Sequence, residues 1–242
     1  MIAGLSIVVP AYNEESTIAA TVTDALAAGA TVATTLEVVI CDDGSQDQTR
    51  VILERMAADE PRLRVVARRL NRGIEASIRT LYAVATQDWV FLNSADRQWP
   101  MTALVPMAAA VAAGADLVIG VRKNKRDIYS PYRQVLSWTY EAVVRRLGAP
   151  GGDPGSIKLG RRRLLHAPVV ARGVFAEGER VVRAARAGAK VVEVAVPFQR
   201  RGSGQATGAR RDIVAQAALD VGLVAASLYT GWPRPTLPDP LL

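Results

Sequence analysis

Short apolar runs alternate along the first half of the chain with stretches whose apolar residues recur at helical spacing. Leu5 to Val9, Leu36 to Cys41, Leu63 to Ala67, Trp89 to Asn93 and Asp116 to Val121 have the length and β-branched character of buried strands. Between them, Glu14 to Ala28, Asp47 to Ala58, Gly73 to Ala85 and Thr102 to Ala113 have the period of amphipathic helices. This alternation predicts an α/β fold, a mostly parallel sheet flanked by helices with right-handed crossovers. Asn13 is placed to cap the first helix, with Glu14 and Glu15 against the positive end of its dipole.

The second half is less regular. A helix is expected from about Pro131 to Leu147, followed by a Gly/Pro-rich loop over Gly148 to Gly155 that precludes regular structure. A helix at Glu177 to Ala187, a strand at Lys190 to Val196, a basic glycine-rich loop at Arg200 to Gly208 and a helix at Ala209 to Leu228 complete the reading. Four prolines make the tail from Trp232 to Leu242 extended or disordered. Residues 1–205 are read as one domain, and 206–242 as a C-terminal helix and Pro-rich tail.

Composition narrows the classes of function. The chain has 242 residues, half of them apolar, enough for one large core. Its one cysteine, Cys41, rules out a disulfide framework and a Cys-rich zinc site and fits a cytoplasmic setting. Its one histidine, His166, leaves no Ser-His-Asp triad or multi-histidine metal site; a surface or interface role is expected for it. A net charge of +7 favours an anionic partner, but no zinc-finger spacing or RNA-binding sheet motif occurs, so nucleic acid is not expected. No secretion signal is read at the N-terminus, and Gln216 and Asp220 interrupt the most apolar stretch, Ile213 to Leu228, so a membrane crossing is not expected.

Chemistry concentrates in two acidic segments that directly follow predicted strands, Asp42-Asp43-Gly44-Ser45 and Ser94-Ala95-Asp96-Arg97-Gln98. Carboxylates at the carboxyl ends of parallel strands fall in the crevice where open α/β sheets bind ligands, and they suit a nucleotide with its divalent metal. Taken with Val8-Val9-Pro10-Ala11-Tyr12-Asn13-Glu14-Glu15, Asn71-Arg72-Gly73 and Trp99-Pro100, in this order and spacing, the chain resembles the family 2 glycosyltransferases of GT-A fold. In the second half, Asp116 to Arg122, the spacing Arg133 to Ser137, the spacing Glu179 to Gly188, and the Arg200-Arg201-Gly202 segment are similar to the dolichyl-phosphate mannosyltransferase branch and its bacterial polyprenyl-phosphate relatives.

The resemblance implies an inverting transfer of a sugar from a nucleoside diphosphate to a polyprenyl phosphate at the cytoplasmic membrane face. It implies that Pro10, Ala11, Tyr12, Glu14 and Asp42 contact base and ribose, with Asp43 and Ser45 ordering the loop. Mg²⁺ or Mn²⁺ would be held by Asp96 and Gln98, with Ser94 standing where the family has its first Asp. Arg122, Arg133 and Ser137 would bind the acceptor phosphate, and Arg200 or Arg201 the diphosphate. Arg suits both, because its planar fork donates two parallel hydrogen bonds. A phosphate acceptor is already ionised and needs no base. For an alcohol acceptor, such as a natural product or glycan, Glu177 is the base candidate.

Ser94, together with Leu81 and Gln87 where the family favours Gly, also admits a non-catalytic nucleotide-sugar binding protein. For the last helix two placements stay open, peripheral contact with an anionic membrane and packing on the body. The donor base, the sugar, the acceptor and the oligomeric state are not legible.

Overall fold

A computed structural model describes residues 1–123, 131–199 and 211–236, apart from the side chains of 133, 211 and 212. The expected glycine-rich loop with Arg200 and Arg201, the Arg133 side chain and the end of the tail lie outside the described residues.

The chain builds β1 (Ile2–Ala11), α1 (Ile18–Val32), β2 (Ala33–Asp42), α2 (Thr49–Asp59), β3 (Leu63–Ala67), α3 (Ile74–Val84) and β4 (Trp89–Leu92). A 3₁₀ turn at Met101–Ala103 leads into α4 (Leu104–Ala112), β5 (Leu117–Arg122) and α5 (Pro131–Arg146). Then come β6 (Lys158–Arg161), the short α6 (Arg162–Leu165), α7 (Ala176–Arg186), β7 (Val191–Val196) and α8 (Arg211–Thr230). The strands form one sheet of order β3-β2-β1-β4-β6-β5-β7. All neighbours are parallel except at β6, which runs antiparallel to both β4 and β5.

The apolar alternation of β1 explains why helices cover both faces. Leu5, Ile7 and Val9 enter one core with α1 and α4, whereas Val8 enters the other with α3 and α7. Every second residue of a strand faces the same way, so a strand buried on both faces reads as a continuous apolar run. Leu81 lies fully buried in the α3 core, where a side chain fills space that glycine would leave open.

Three expectations change. First, α1 begins at Ile18 rather than Glu14. Asn13 sits at φ 55 and its Oδ1 accepts the Gln46 N–H at 2.8 Å, so it joins two loops instead of capping the helix. Left-handed backbone is tolerated by Asn better than by most residues. Second, β6 was not anticipated, because Lys158 and Arg161 break its apolar pattern. Lys158 is nevertheless fully buried, since its ammonium meets Glu177 at 2.9 Å.

Third, Ile213–Thr230 is long and apolar enough to cross a bilayer, with a mean hydropathy of 1.5. Its polar residues, however, fasten it to the protein. Asp220, wholly buried, accepts the backbone N–H groups of Arg172 and Gly173 at 3.2 and 2.8 Å. Ser227 accepts Arg183 at 2.9 Å, and Arg186 stacks over the Tyr229 ring at 5.2 Å. Beyond α8 the chain returns along the body, where Thr236 and Val169 pair backbone to backbone at 3.4 Å. The opposite side of α8 leaves Leu219 and Leu223 exposed.

Candidate functional site

The two acidic segments leave the sheet on either side of β1. Ala11 is in register with Asp42, the last residue of β2, and Val8 with Leu92, the last of β4, so both loops rise at the carboxyl end of the central strand. The Thr21 hydroxyl donates to the Ala95 carbonyl at 3.1 Å, fixing the second loop against α1.

Asp42 is wholly buried. Its Oδ1 accepts the Ser45 N–H at 3.0 Å and its Oδ2 accepts Arg50 Nε at 2.7 Å. Each carboxylate oxygen can accept more than one hydrogen bond, so a ligand N–H is still chemically compatible with it. Asp43 organises the next loop: it pairs with Arg68 at 3.0 Å and accepts the Gly73 N–H at 2.7 Å and the Arg72 N–H at 3.1 Å. Gly73, at φ 88, turns the chain into α3 in a conformation that disfavours a side chain. Among the β1 loop residues Ala11 is buried, Pro10 and Glu14 are half-buried and Tyr12 is exposed. Glu14 N–H and Asn13 N–H donate to Thr49 Oγ1 at 2.8 Å and Ser45 Oγ at 3.0 Å, which locks the loops after β1 and β2 into one wall.

Asp96 is half-buried, and its Oδ1 accepts the Ser94 hydroxyl at 2.6 Å and the Gln98 N–H at 3.1 Å. Ser94 thus orients the Asp96 carboxylate. Gln98 and Gln199 exchange two bonds, Gln199 N–H to the Gln98 carbonyl at 2.8 Å and Gln98 Nε2 to the Gln199 carbonyl at 3.2 Å. The segment that continues into Arg200 and Arg201 therefore begins beside the Asp96 loop. Among the described residues no group of three or more His, Cys, Asp or Glu gathers as a ready metal cage. The oxygen set of Asp96, Ser94 and Gln98 suits a hard divalent ion that takes its remaining ligands from a diphosphate.

Arg122 and Ser137 come together on a different cavity, about 530 Å³, walled by α3, α5 and α8. Arg122 Nη1 donates to both Asp153 oxygens, at 2.8 and 2.7 Å, and the guanidinium lies 4.7 Å from the Trp99 ring and 4.4 Å from that of Phe198. Stacking and the paired carboxylate hold this cation in one orientation. Ser137 donates to Glu141 at 3.0 Å. The rest of the wall is largely apolar, with Ile74, Ile78, Leu136, Val143 and Val221 among its members.

The floor of the cavity holds the expected base candidate Glu177 among charges that the sequence did not single out. Glu177 accepts Lys158 at 2.9 Å, Arg180 at 2.7 Å and the Tyr82 hydroxyl at 3.1 Å. Despite its burial, Lys158 and Arg180 hold its pKa below the ordinary carboxylate value. A carboxylate so neutralised makes a poor proton acceptor, which argues against Glu177 as a general base. Glu75, on the first turn of α3, accepts Arg79 at 2.9 Å and Arg180 at 3.3 Å through the same oxygen. Burial pushes its carboxyl up to about 7.

The sign of the resulting pH dependence follows from proton counting. Between 4.5 and about 7 the folded chain keeps a proton on Glu75 that the unfolded chain has released, so stability falls as pH rises through that window. Urea melts should show a smaller unfolding free energy at about pH 8 than at about pH 5, with the difference reduced in Glu75→Gln. An identical difference in the variant would remove Glu75 as its source.

Glu75 could have been noticed, because it falls on the same helical face as Ile78 and Tyr82. Lys158 and Asp153 gave no such signal, since their partners come from distant segments, whereas Arg180 lies one helical turn from Glu177 and also reaches Glu75 of α3.

Comparison with known proteins bears on the family and the fold. The chain is 32% identical over 165 residues to an undecaprenyl-phosphate 4-deoxy-4-formamido-L-arabinose transferase of Pectobacterium carotovorum, and 32% identical over 162 residues to the one of Klebsiella pneumoniae. The matched region is 67% of this chain and 50% of the Pectobacterium protein, so the chain matches about half the length of that relative. For the Klebsiella protein the shares are 66% and 49%. Glucosyl-3-phosphoglycerate synthase from Mycobacterium tuberculosis, in complex with Mn²⁺, UDP-glucose and phosphoglyceric acid, superposes with a TM-score of 0.68 at 18% identity, over 91% of this chain and 80% of that one. Its complex with Mn²⁺, UDP and glucosyl-3-phosphoglycerate gives 0.64 at 19% identity, over 98% and 81%. These likenesses establish the GT-A type of fold. The model of glycosyl transferase family 2 matches residues 6–167, which contain most of β1, both acidic loops, Arg122 and Ser137, and the chain belongs to that family.

Proposed function

We propose that this chain transfers a sugar, with inversion, from a nucleoside diphosphate donor at the Asp42/Asp96 crevice to a polyprenyl phosphate seated in the cavity of Arg122 and Ser137. The observation that carries this reading is the make-up of that cavity. An apolar wall around a stacked, oriented arginine suits an amphiphile with an anionic head, and a hydrophilic sugar acceptor would leave such a wall unsatisfied. The names of the relatives, which are undecaprenyl-phosphate transferases, support the same acceptor class.

Asp96, with Ser94 and Gln98, would hold Mg²⁺ or Mn²⁺, and the bound ion would neutralise charge on the departing nucleoside diphosphate. The Mn²⁺ and UDP in the neighbouring structures support that assignment. The loops of Pro10 to Glu14 and Asp42 to Ser45 bind base and ribose, with Asp43 keeping the Arg72-Gly73 turn against them. Arg122, Arg133 and Ser137 orient the acceptor phosphate, whose oxygen attacks already ionised. Arg200 and Arg201, next in sequence after Gln199, are the residues that the family resemblance assigns to the diphosphate. The work of the chain is thus to position two anions and exclude water.

A soluble alcohol acceptor is less well supported, because its base candidate Glu177 is committed to Lys158 and Arg180. Peripheral membrane contact at the cytoplasmic face fits the outward side of α5, where Tyr132, Val135 and Trp138 are exposed, together with Leu219 and Leu223 of α8.

A thermal-shift screen of UDP, GDP and TDP sugars with and without Mn²⁺ tests the donor site. One nucleotide class should stabilise the wild type by about 2.7 kcal/mol at a roughly hundredfold excess over Kd, and Asp42→Ala should lose most of that gain. Equal shifts in the two proteins would count against the site. For the acceptor, labelled sugar should move from that donor to a short-chain polyprenyl phosphate; turnover with soluble alcohols alone would defeat the proposal.

A further inference from the structure

The carboxylate of Glu75 shares the Arg122 cavity, which is an odd neighbour for an anionic head group. Its surroundings explain how both can be accommodated. From α3, Arg79 and Tyr82 face it; from α7, Glu177 and Arg180; and Lys158 of β6 lies behind Glu177. Tyr140 of α5, Arg122 of β5 and Asp153 line the same space, and α8 contributes Ile213, Val214, Ala217, Ala218 and Val221, all apolar.

Cations are unequally divided within this group. Glu177 holds Lys158 at 2.9 Å and Arg180 at 2.7 Å, while the same Arg180 nitrogen reaches Glu75 only at 3.3 Å. Glu75 keeps one closer partner, Arg79, at 2.9 Å, and the Glu75 side chain is 10% exposed. The inner carboxylate is therefore compensated, and the outer one, at the cavity wall, is the member of the pair able to discharge by taking a proton.

We propose that Glu75 is a specificity-determining residue for the acceptor: the cavity receives an anionic head group with the Glu75 carboxyl protonated, and binding draws a proton from solvent onto that carboxyl whenever it is ionised beforehand. The inference rests on the acceptor reading given above. Its physical basis is that an added negative charge in a poorly hydrated cavity raises the proton affinity of a carboxyl beside it. In the opposite direction, ionised Glu75 disfavours the head group, so affinity drops as pH climbs past the point where the empty protein loses this proton, near 7.

Isothermal titration of the full chain with farnesyl phosphate and with farnesyl sulfonate reads this out. The sulfonate head has no proton to exchange near neutrality, so proton uptake on its binding, measured from the dependence of heat on buffer ionisation, belongs to the protein. Wild type should take up a substantial fraction of a proton at about pH 8, and its affinity for the sulfonate should fall about tenfold between about pH 6.5 and about pH 8.5. Glu75→Gln should take up none, keep a flat affinity and bind more tightly than wild type at the higher pH. Sulfonate binding by wild type without proton uptake, or equal pH slopes in wild type and variant, overturns the role of Glu75 and leaves the acceptor reading standing. Failure of both probes to bind wild type at any pH overturns the acceptor reading and this inference together. The uptake measurement needs only wild type, so its absence overturns the proposal even if the variant folds poorly.

Discussion

Glu177→Ala is expected to lower folding stability by about 3–5 kcal/mol, because it strands buried Lys158 and leaves buried Arg180 with only its longer Glu75 contact. Lys158 is wholly buried and Arg180 is 2% exposed, so neither can recover hydration without opening the structure. Both take their shortest charge contact from Glu177, at 2.9 and 2.7 Å. For a chain of this size the loss corresponds to a fall in melting temperature of about 6–20 °C. Glu177→Gln keeps the shape and removes only the charge, so it should also melt early, while retaining transfer activity per folded molecule at low temperature. A Gln variant with unchanged melting temperature and no activity would instead revive Glu177 as a catalytic base.

Asp96→Ala should reduce kcat by at least about a hundredfold and abolish the metal-dependent part of donor binding. Its carboxylate is the one acidic group in the Ser94 to Gln98 segment, with Ser94 Oγ held on it at 2.6 Å. The effect on folding should be small, since Asp96 is half-buried and sits in a loop. Donor-stabilisation curves with and without Mn²⁺ check this against Asp42→Ala, whose loss should not depend on metal. Full turnover in Asp96→Ala would place the diphosphate charge elsewhere.

How much was legible can be seen residue by residue. Asp42 and Asp96 could be placed at a common edge because each follows an apolar run of strand length, and parallel strands in sequence bring such ends together. Arg122 was legible from its position at the end of β5. That Asp42 is tied inward by Arg50 could not be read, since nothing local distinguishes Arg50 from Arg55, the other arginine of α2. The same holds for Arg68 on Asp43. The antiparallel β6 was hidden because a strand with a buried lysine looks polar until its partner Glu177 is known. The first-helix boundary moved because Asn13 found a backbone partner in the next loop, Gln46, rather than in its own helix.

By itself the sequence determined the alternation of strands and helices, the burial of β1 on both faces and the edge at which the acidic loops meet. These follow from periodicity and turn chemistry, which act over a few residues. Only the tertiary structure decided the antiparallel insertion of β6, the fastening of α8 through Asp220, and the sharing of Arg180 between Glu75 and Glu177. Those outcomes depend on which charges meet across segments far apart in the chain, and a buried charge is stable only once its partner is in place.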